Sequence, residues 1–550
     1  MTRNRHHEIA LRYVQEQVFG RWAPATEIAE EHGVNWADQP FRFKLYRDAY
    51  RIPLRGSCEI NRLFANRCSP EPDPLTHLPL SALLYLLGAP LRRKASINWN
   101  QDFMQSVQHT HQSFGRATGS GGGLYPVEFY LAVCSEAYLP AGIYHYSGAH
   151  HSLVPLQWGD QQEQMSEALL EVPGTEQFSM YVLLSIDFWK NCFKYRNFGF
   201  HVCTQDVGAA LATSTIVCNA LGILHEVFLC FDDRKLNGLV GLDTVGESIF
   251  AVVGIGPKKQ SYRSQRPIGQ CDYLHIQSPW QVTWQRSAHV AIPEGLRTVH
   301  MASLVETEDG EWLRPQFRPC KPTLEYGHER DQRARQVADL SSQIRGTLPS
   351  ILMARHSAWG SMRALPLLPL EWLISVLQYI SSTTSTISLN MRELVPENAV
   401  QLLVVANHVA GISQGVYRWN AADASLKSTA VTSTFVNWQS AYGMDNYNLE
   451  QASCLLLITG NLRLMLELFG NRGYRLLNHQ IGVIAQLAYV AATAGNIRCG
   501  AVLGVREQML KEILGLDAKE DIFLAVLLGR GERDLQIFDH RFLPDVPRWD

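Results

Sequence analysis

The sequence has no paired-cysteine motif, no signal-peptide core and no strong excess of charge of either sign. Its eleven cysteines are scattered without a C-x-x-C pair, which argues against a zinc site or a disulfide framework and favours reduced thiols. The formal net charge of −3 provides no general attraction to nucleic acid or to an anionic membrane. Residues 1–8 lead into a polar helical pattern rather than an apolar targeting segment. We therefore expect a cytoplasmic protein with no metal site and no nucleic-acid partner.

Several common catalytic motifs are also missing. The chain contains no G-x-x-x-x-G-K-[ST], no H-E-x-x-H and no G-x-S-x-G. Gly254-Ile255-Gly256 follows a predicted strand but enters Pro257 and two lysines, not the helix that a dinucleotide-binding motif requires. The sequence therefore lacks the usual signatures of phosphate-loop, zinc-protease, serine-hydrolase and dinucleotide-binding enzymes.

Two long runs carry no charge at all. Residues 207–224 and 481–497 approach the length of a membrane span. Both are rich in small residues and contain polar side chains, among them Thr213 and Gln486. We interpret them as helices buried inside the protein, packed against each other or against a partner subunit, and we expect no membrane role.

The order of predicted elements occurs twice along the chain. The glycines of the two uncharged helices, Gly208 and Gly482, are separated by 482 − 208 = 274 residues. Leu242 and Leu516, each followed by an aspartate, have the same separation, 516 − 242 = 274. Self-similarity of this length indicates two copies of one α+β unit, which would form an intrachain pseudo-dimer about an approximate twofold axis.

Composition and the repeat together suggest four segments. We expect an N-terminal region at residues 1–80, unit 1 at 81–260, a connecting segment at 261–345 and unit 2 at 346–550. The chain would then act as a monomer with internal pseudo-symmetry or as a homodimer of such chains.

A glycine-rich stretch in unit 1 is the strongest candidate for ligand binding. It consists of Ser120, Gly121, Gly122, Gly123, Leu124 and Tyr125, and Pro126 then leads into an apolar strand. Glycines without Cβ atoms let backbone N–H groups approach a flat or anionic ligand. The alternative is an ordinary surface turn, because glycine runs alone are weak signals.

Several motifs together resemble those of the SagB-type dehydrogenases, a family in the FMN-dependent nitroreductase-like superfamily. The residues that carry the resemblance are WADQP at 36–40, FKLY at 43–46, the glycine stretch and Lys194-Tyr195. It is clearest over residues 35–256, and unit 2 resembles the wider nitroreductase fold. The resemblance implies a strand-rich α+β fold, dimeric or pseudo-dimeric, that binds FMN at the interface between the two copies. It also implies oxidation of thiazolines or oxazolines to azoles on a peptide or small-molecule azoline, with O₂ as electron acceptor and a cyclodehydratase as a candidate partner.

The same resemblance implies that one composite FMN site is divided between the units. Unit 1 supplies the glycine stretch, and unit 2 supplies Arg355, Ser357 and Arg530 for the phosphate. Each arginine taken alone could instead be a solvated surface residue. The second site would lack both parts, because residues 388–393 contain no glycine and only Arg51 or Arg55 could replace the phosphate ligands of unit 1. We therefore expect one FMN per chain.

Three further residues are predicted to contact the cofactor. Arg116 stands shortly before the glycine stretch. Gln205 and Asp206 precede the first uncharged run, where they could cap that helix or bond to the flavin ring.

Lys194 and Tyr195 are the predicted catalytic residues. Unit 2 has Leu468 and Phe469 at the matching positions, so both polar groups are specific to unit 1. Aromatising an azoline removes a hydride, which a flavin can accept, and a proton, which a base must take. A lysine with a lowered pKa, or a tyrosinate beside a lysine cation, could be that base. The alternative is that Lys194 pairs with a carboxylate such as Asp206 and that Tyr195 fills the core.

Two other functions remain open at this point. One is an FMN-dependent nitro- or quinone-reductase that uses NAD(P)H. The other is a non-catalytic subunit that holds a cyclodehydratase and its precursor peptide.

Overall fold

The computed structural model describes most of the chain. The described residues are 7–22, 34–54, 60, 63, 77–96, 111–134, 139–172, 174–257, 283–306, 332–358, 362–387, 396, 399–429, 438–444, 447–517, 519–531 and 536–541. Arg55 and residues 388–393 lie outside this part.

The first half of the chain forms an antiparallel sheet with helices. Its helices are α1 (Glu8–Tyr13), α2 (His77–Gly88), α3 (Gln162–Ala168), α4 (Trp189–Tyr195), α5 (Gly199–Leu221), α6 (Asp233–Val240) and α7 (Glu294–Ala302). Its strands are β1 (Ile52–Pro53), β2 (Arg92–Ser96), β3 (His111–Gly115), β4 (Val127–Val133), β5 (Gly142–Ser147), β6 (Ser152–Trp158), β7 (Phe178–Asp187), β8 (His225–Phe228) and β9 (Glu247–Pro257). The sheet order is β1-β6-β5-β4-β7-β9-β8.

The second half contains another antiparallel sheet. Its helices are α8 (Gln332–Ala354), α9 (Leu370–Ile387), α10 (Leu462–Phe469), α11 (Arg472–Ala494) and α12 (Glu507–Leu514). Its strands are β10 (Leu368–Pro369), β11 (Val400–Ala406), β12 (Val409–Ala410), β13 (Gly415–Asn420), β14 (Ser425–Ser428), β15 (Cys454–Gly460), β16 (Arg498–Val502), β17 (Asp521–Gly529) and β18 (Gln536–Arg541). The order of this sheet is β14-β13-β11-β15-β17-β16.

The two sheets share one strand order. Taken along the chain, β4, β5, β6, β7, β8 and β9 occupy the positions that β11, β13, β14, β15, β16 and β17 occupy in the second sheet. A third sheet, β18-β2-β3, joins the halves, because the C-terminal strand pairs with β2 through Phe538 and Ala95. Strand β3 in that sheet leads directly into the segment that carries the glycine stretch.

The two uncharged runs form most of the long helices α5 and α11, as predicted. Residues 199–218 of α5 are all buried, because other parts of the protein surround this helix. The residue after its last turn is Gly222, whose left-handed conformation (φ 68°) favours glycine at a helix C-terminus. Among the described residues, no helix combines the length and hydropathy that crossing a bilayer requires.

Helices α5 and α11 pack against each other through two glycines. A Cβ atom added to Gly208 would lie 2.0 Å from the carbonyl oxygen of His479, and one added to Gly482 would lie 2.0 Å from that of Gln205. Gly482 is the equivalent of Gly208, and His479 is the equivalent of Gln205, since each lies 274 residues later in the chain (482 − 208 and 479 − 205). The two contacts are therefore reciprocal. This close approach of two backbones brings side chains from both halves to a common interface.

Replacing Gly482 by alanine should therefore separate the two helices. We expect Gly482→Ala to lower the free energy of unfolding by about 1–3 kcal/mol, the usual cost of overpacking a core. Gly346→Ala is the matched control, because Gly346 lies in α8 and a Cβ atom there would meet nothing within 4 Å. Chemical denaturation should show the control unchanged or slightly stabilised. Equal midpoints for the two variants would contradict this account of the contact.

A buried ion network also crosses between the halves. Asp233, the first residue of α6, accepts hydrogen bonds from Arg472 Nη1 at 2.7 and 2.9 Å and from Arg475 Nη1 at 3.0 Å. All three side chains are fully buried. Arg472 also donates to the carbonyl oxygen of Leu229, so both arginines at the start of α11 are held by the first half.

Candidate active site

The glycine stretch forms a tight turn that only glycine accommodates easily. Gly122 and Gly123 have φ values of 64° and 66°. A Cβ atom at Gly121 would lie 2.1 Å from Val202 Cγ1, whereas one at Gly123 would meet nothing within 4 Å. The turn is closed by Ser120, whose Oγ accepts the Tyr125 N–H at 2.9 Å. Gly123 therefore leaves open space beside the backbone into which a ligand could fit.

Asp206 anchors the glycine stretch to α5. The Ser120 hydroxyl donates to its Oδ2 at 2.6 Å and the Gly121 N–H donates to its Oδ1 at 2.9 Å. Burial raises the pKa of Asp206 to about 7, although both hydrogen bonds act in the opposite direction. Capping of the long helix, one of the two roles predicted for Asp206, is wrong, because α5 begins at Gly199 and contains Asp206.

Gln205 also lies inside α5, but its side chain is directed to the contact between the long helices. Its Nε2 donates to Asn478 Oδ1 at 3.2 Å and lies 3.1 Å from His201 Nε2. The predicted capping of α5 by Gln205 is wrong as well, and the described bonds of Gln205 are with neighbours in the helix pair.

Lys194 and Tyr195 are the last two residues of helix α4 and lie beside the glycine stretch. A Cβ atom at Gly122 would lie 2.7 Å from the Tyr195 hydroxyl, so the ring is packed directly against the turn. Lys194 Nζ lies 5.0 Å from the centre of the Tyr195 ring and 5.6 Å from that of Trp36. The ammonium group is thus held between two aromatic faces, which attract a cation. At the matching positions Phe469 is buried and Leu468 packs against the core.

Arg355 and Ser357 reach this region from the second half. Arg355 Nη2 donates to the carbonyl oxygen of Arg116 at 3.1 Å, and its guanidinium carbon lies 5.2 Å from the centre of the Tyr489 ring. Ser357 Oγ lies 2.9 Å from the Tyr489 hydroxyl. Arg355 Nε is buried and has no hydrogen-bond partner in the described structure, so the guanidinium retains a donor for a ligand.

Gln486 forms hydrogen bonds at this site that the sequence did not predict. Its Oε1 accepts the Gly119 N–H at 2.9 Å, and its Nε2 donates to the carbonyl oxygen of Ala117 at 3.1 Å and to Thr213 Oγ1 at 3.0 Å. The side-chain amide of Gln486, in α11, therefore binds the backbone that leads into the glycine stretch. The only sequence signal was one amide side chain within an uncharged helical run.

Arg530 directly follows β17, an interior strand of the second sheet. Its carbonyl oxygen accepts the Arg363 N–H at 2.8 Å, and its Nε is buried without a partner in the described structure. Ala358 lies beside the edge strand β16, because its N–H donates to the carbonyl oxygen of Cys499 at 2.9 Å. The described bonds of Arg530 do not reach the glycine stretch itself.

Arg116, Leu124 and Tyr125 lie on the other side of the turn. The Arg116 guanidinium carbon is 4.9 Å from the centre of the Tyr125 ring, and the Tyr125 hydroxyl accepts the Arg116 N–H at 3.2 Å. Leu124 is buried. The structure therefore brings twelve of the fourteen predicted site residues to the region of this turn. Gln205 is directed to the helix pair, and the described hydrogen bond of Arg530 is one of its main chain.

Comparisons with known proteins agree with the sequence resemblance. Residues 374–530 match the model of the Nitroreductase family. The chain is 25% identical over 190 residues to the trifolitoxin-processing protein TfxB of Rhizobium leguminosarum bv. trifolii, covering 34% of this chain and 48% of that protein. It is 27% identical over 138 residues to the microcin B17-processing protein McbC of Escherichia coli, covering 24% of this chain and 50% of that protein.

The chain thus spans about half the length of the curated relatives it matches. A crystal structure classed as a candidate nitroreductase from Anabaena variabilis ATCC 29413 has the same fold over nearly the whole chain. The TM-score is 0.68 at 18% identity, covering 95% of this chain and 99% of the other. Residues 374–530 therefore form a nitroreductase-family domain, and the chain is similar in sequence to the processing proteins of trifolitoxin and microcin B17.

Proposed function

We propose that this protein is an FMN-dependent oxidoreductase that oxidises thiazoline or oxazoline rings to azoles on a peptide. The observation that carries the proposal is the turn at Gly122, which contacts the Lys194–Tyr195 pair on one side. On the other side, Arg355 and Gln486 of the second half bind the segment that leads into this turn. The homology to two proteins named for processing microcin B17 and trifolitoxin favours a peptide substrate.

Both halves are proposed to be nitroreductase-like units that form a pseudo-dimer within one chain. Support comes from the shared strand order of the two sheets and from the reciprocal contacts of Gly208 and Gly482. We keep unit 1 at residues 81–260 and unit 2 at 346–550. The N-terminal region and both units interlock, because the Ala10 N–H donates to Asn471 Oδ1 at 2.9 Å and β1 extends the first sheet.

The residues present fit an FMN shared between the units. Arg355, Ser357 and Arg530 would hold its phosphate, since two of their buried guanidinium nitrogens have no partner in the described structure. The open space beside Gly123 would admit the edge of a flat ring. A bound FMN supplies the two-electron acceptor that azoline oxidation requires.

The protein's own residues would move the proton in this reaction. Tyr195 presents its hydroxyl at Gly122, close to where a ring bound against the turn would lie. Lys194, beside the Tyr195 ring, would stabilise negative charge that develops there or accept the proton itself. Asp206 and Ser120 would fix the turn so that substrate and cofactor meet in one geometry.

The described cysteines suggest where the protein works, and the proposed substrate suggests its partner. None of the seven described cysteines forms a disulfide, which supports a reducing, cytoplasmic setting. A cyclodehydratase would be the partner, because azolines on a peptide arise by cyclodehydration of cysteine, serine or threonine side chains.

Turnover of a thiazoline-containing peptide in air, without added nicotinamide, tests the function. We expect mass spectrometry to show the loss of two hydrogen atoms per ring and ultraviolet absorbance to show the new aromatic thiazole. A requirement for NAD(P)H together with quinone reduction would favour the reductase alternative instead. Purified protein without yellow colour would favour the scaffolding alternative.

A further inference from the structure

We propose that a cavity beside the candidate active site binds a basic side chain of the peptide substrate, with Asp187 as its counter-ion. The inference rests on the proposed function only in taking the ligand to be part of a peptide. It assigns a binding role to residues at the end of β7 and the start of α4 that the proposed reaction does not use.

The cavity lies in the first half of the protein and has an aromatic wall. Its volume is about 370 Å³, and the rings in its wall are those of Phe41, Phe43, Tyr46, Trp189 and Trp284. Phe41 and Trp284 meet edge to face, with ring centres 4.9 Å apart. Val290, in the same wall, is 51% exposed, so the cavity is open to solvent. Aromatic faces attract a cation, and tryptophan does so most strongly.

The cavity adjoins both the glycine stretch and the catalytic pair. The Asp187 N–H donates to the carbonyl oxygen of Pro126, the residue after the stretch, at 3.0 Å. Trp189 is the first residue of α4, and Lys194 and Tyr195 are its last two. A helix of this length spans about 10 Å, which an extended peptide crosses in about three residues. A peptide with its azoline at the catalytic pair could therefore place a nearby side chain in the cavity.

The two lysines in the cavity wall already have carboxylate partners. Lys44 Nζ lies 2.5 Å from Glu247 Oε2, and Lys190 is paired with Glu128. Both lysines are largely buried in these pairs, so neither gives the cavity a free positive charge.

Asp187 is the carboxylate of this wall that lacks a close partner. Among the described contacts its side chain accepts no hydrogen bond, and its Oδ2 lies 4.0 Å from the Nζ of Lys190. Only 27% of the side chain is exposed, and this burial raises the pKa of Asp187 to about 6, although Lys190 acts in the opposite direction. Asp243 adds a second negative charge to the wall. A cation in the cavity would therefore stabilise the ionised form of Asp187.

An arginine side chain fits this combination best. Its guanidinium group is planar and weakly hydrated, stacks on aromatic rings and donates two parallel hydrogen bonds to a carboxylate. A neutral side chain of the same shape would leave Asp187 without a counter-ion, and an acidic side chain would be repelled. The cavity is at the small end of the usual range for ligand pockets, which suits one side chain with its adjoining backbone.

Binding of benzoyl-argininamide to the full-length protein tests the proposal. Benzoyl-citrullinamide is the control ligand, because its urea group has the shape of a guanidinium group without the charge. We expect calorimetry to show the arginine ligand binding about tenfold or more tightly, and Asp187→Asn to remove this preference. Asp423→Asn is the matched control, because Asp423 forms an exposed ion pair with Lys427, and it should keep the preference.

A second variant tests the aromatic wall without changing any charge. Trp284→Leu removes one ring and should reduce the preference for the arginine ligand by about threefold or more.

Four results would overturn the pocket. They are no binding of the arginine ligand by the wild type, equal affinities for the two ligands, and an unchanged preference in either Asp187→Asn or Trp284→Leu. Selective binding of the arginine ligand by a chain that purifies without flavin would keep the pocket and reject the proposed function. A yellow, active enzyme without this selectivity would reject the pocket alone.

Discussion

Lys194→Met should retain its flavin and lose azoline oxidation by about 10²–10⁴-fold, the usual contribution of a positioned proton-transfer group. Methionine keeps the length and apolar stem of lysine, so the packing against Trp36 and Tyr195 should survive. The loss should appear in kcat, because the missing charge acts at the reacting ring and not at the phosphate.

The measurement is azole formation per bound flavin, compared with the wild type. Lys235→Met provides the matched control, since Lys235 pairs with Glu167 at an exposed surface of α6 and should leave the rate unchanged. A Lys194→Met rate within a few-fold of the wild type would remove this residue from the mechanism. Joint loss of flavin and fold would instead assign it a structural role.

Asp233→Ala should lower the free energy of unfolding by about 3–5 kcal/mol, the cost of leaving buried charges without their partner. Burial opposes ionisation of Asp233, but Arg472 and Arg475 outweigh it and hold its pKa below the ordinary value. The variant would leave both buried guanidinium groups without the Asp233 carboxylate that they share. Since Arg472 and Arg475 lie in the first turn of α11, the contact between the halves should weaken as well.

Urea denaturation of Asp233→Ala, followed by tryptophan fluorescence, provides the test. Asp423→Ala is the control, because Asp423 forms an exposed ion pair with Lys427 and should unfold at the wild-type midpoint. A loss below about 1 kcal/mol for Asp233→Ala would mean that the network is not a main link between the halves.

The sequence predicted those features that depend on local pattern. The existence and burial of α5 and α11, though not where they begin, follow from uncharged runs of small residues. The equal spacing of Gly208 and Gly482 predicted that the order of elements recurs. The glycine stretch was recognisable because residues with positive φ favour glycine.

The features that the sequence did not predict depend on contacts between residues that are far apart in the chain. Gln486 binds Gly119 across 367 residues, and a lone amide in a helix gives no sign of that partner. Gln205 and Asp206 were placed before α5 because no capping side chain marks its true start. Phe198 precedes the helix without a side-chain cap, so packing and not local chemistry determines where α5 begins.

The number of flavins released per chain on denaturation tests the central claim, which is one site composed of parts from both halves. The account predicts a ratio close to one for the wild type and a much lower ratio for Arg355→Ala, which removes a phosphate ligand supplied by the second half. A ratio of two would mean that both interfaces bind flavin. Undiminished flavin in Arg355→Ala would mean that the second half does not hold the phosphate through this residue, and either result would contradict the composite site.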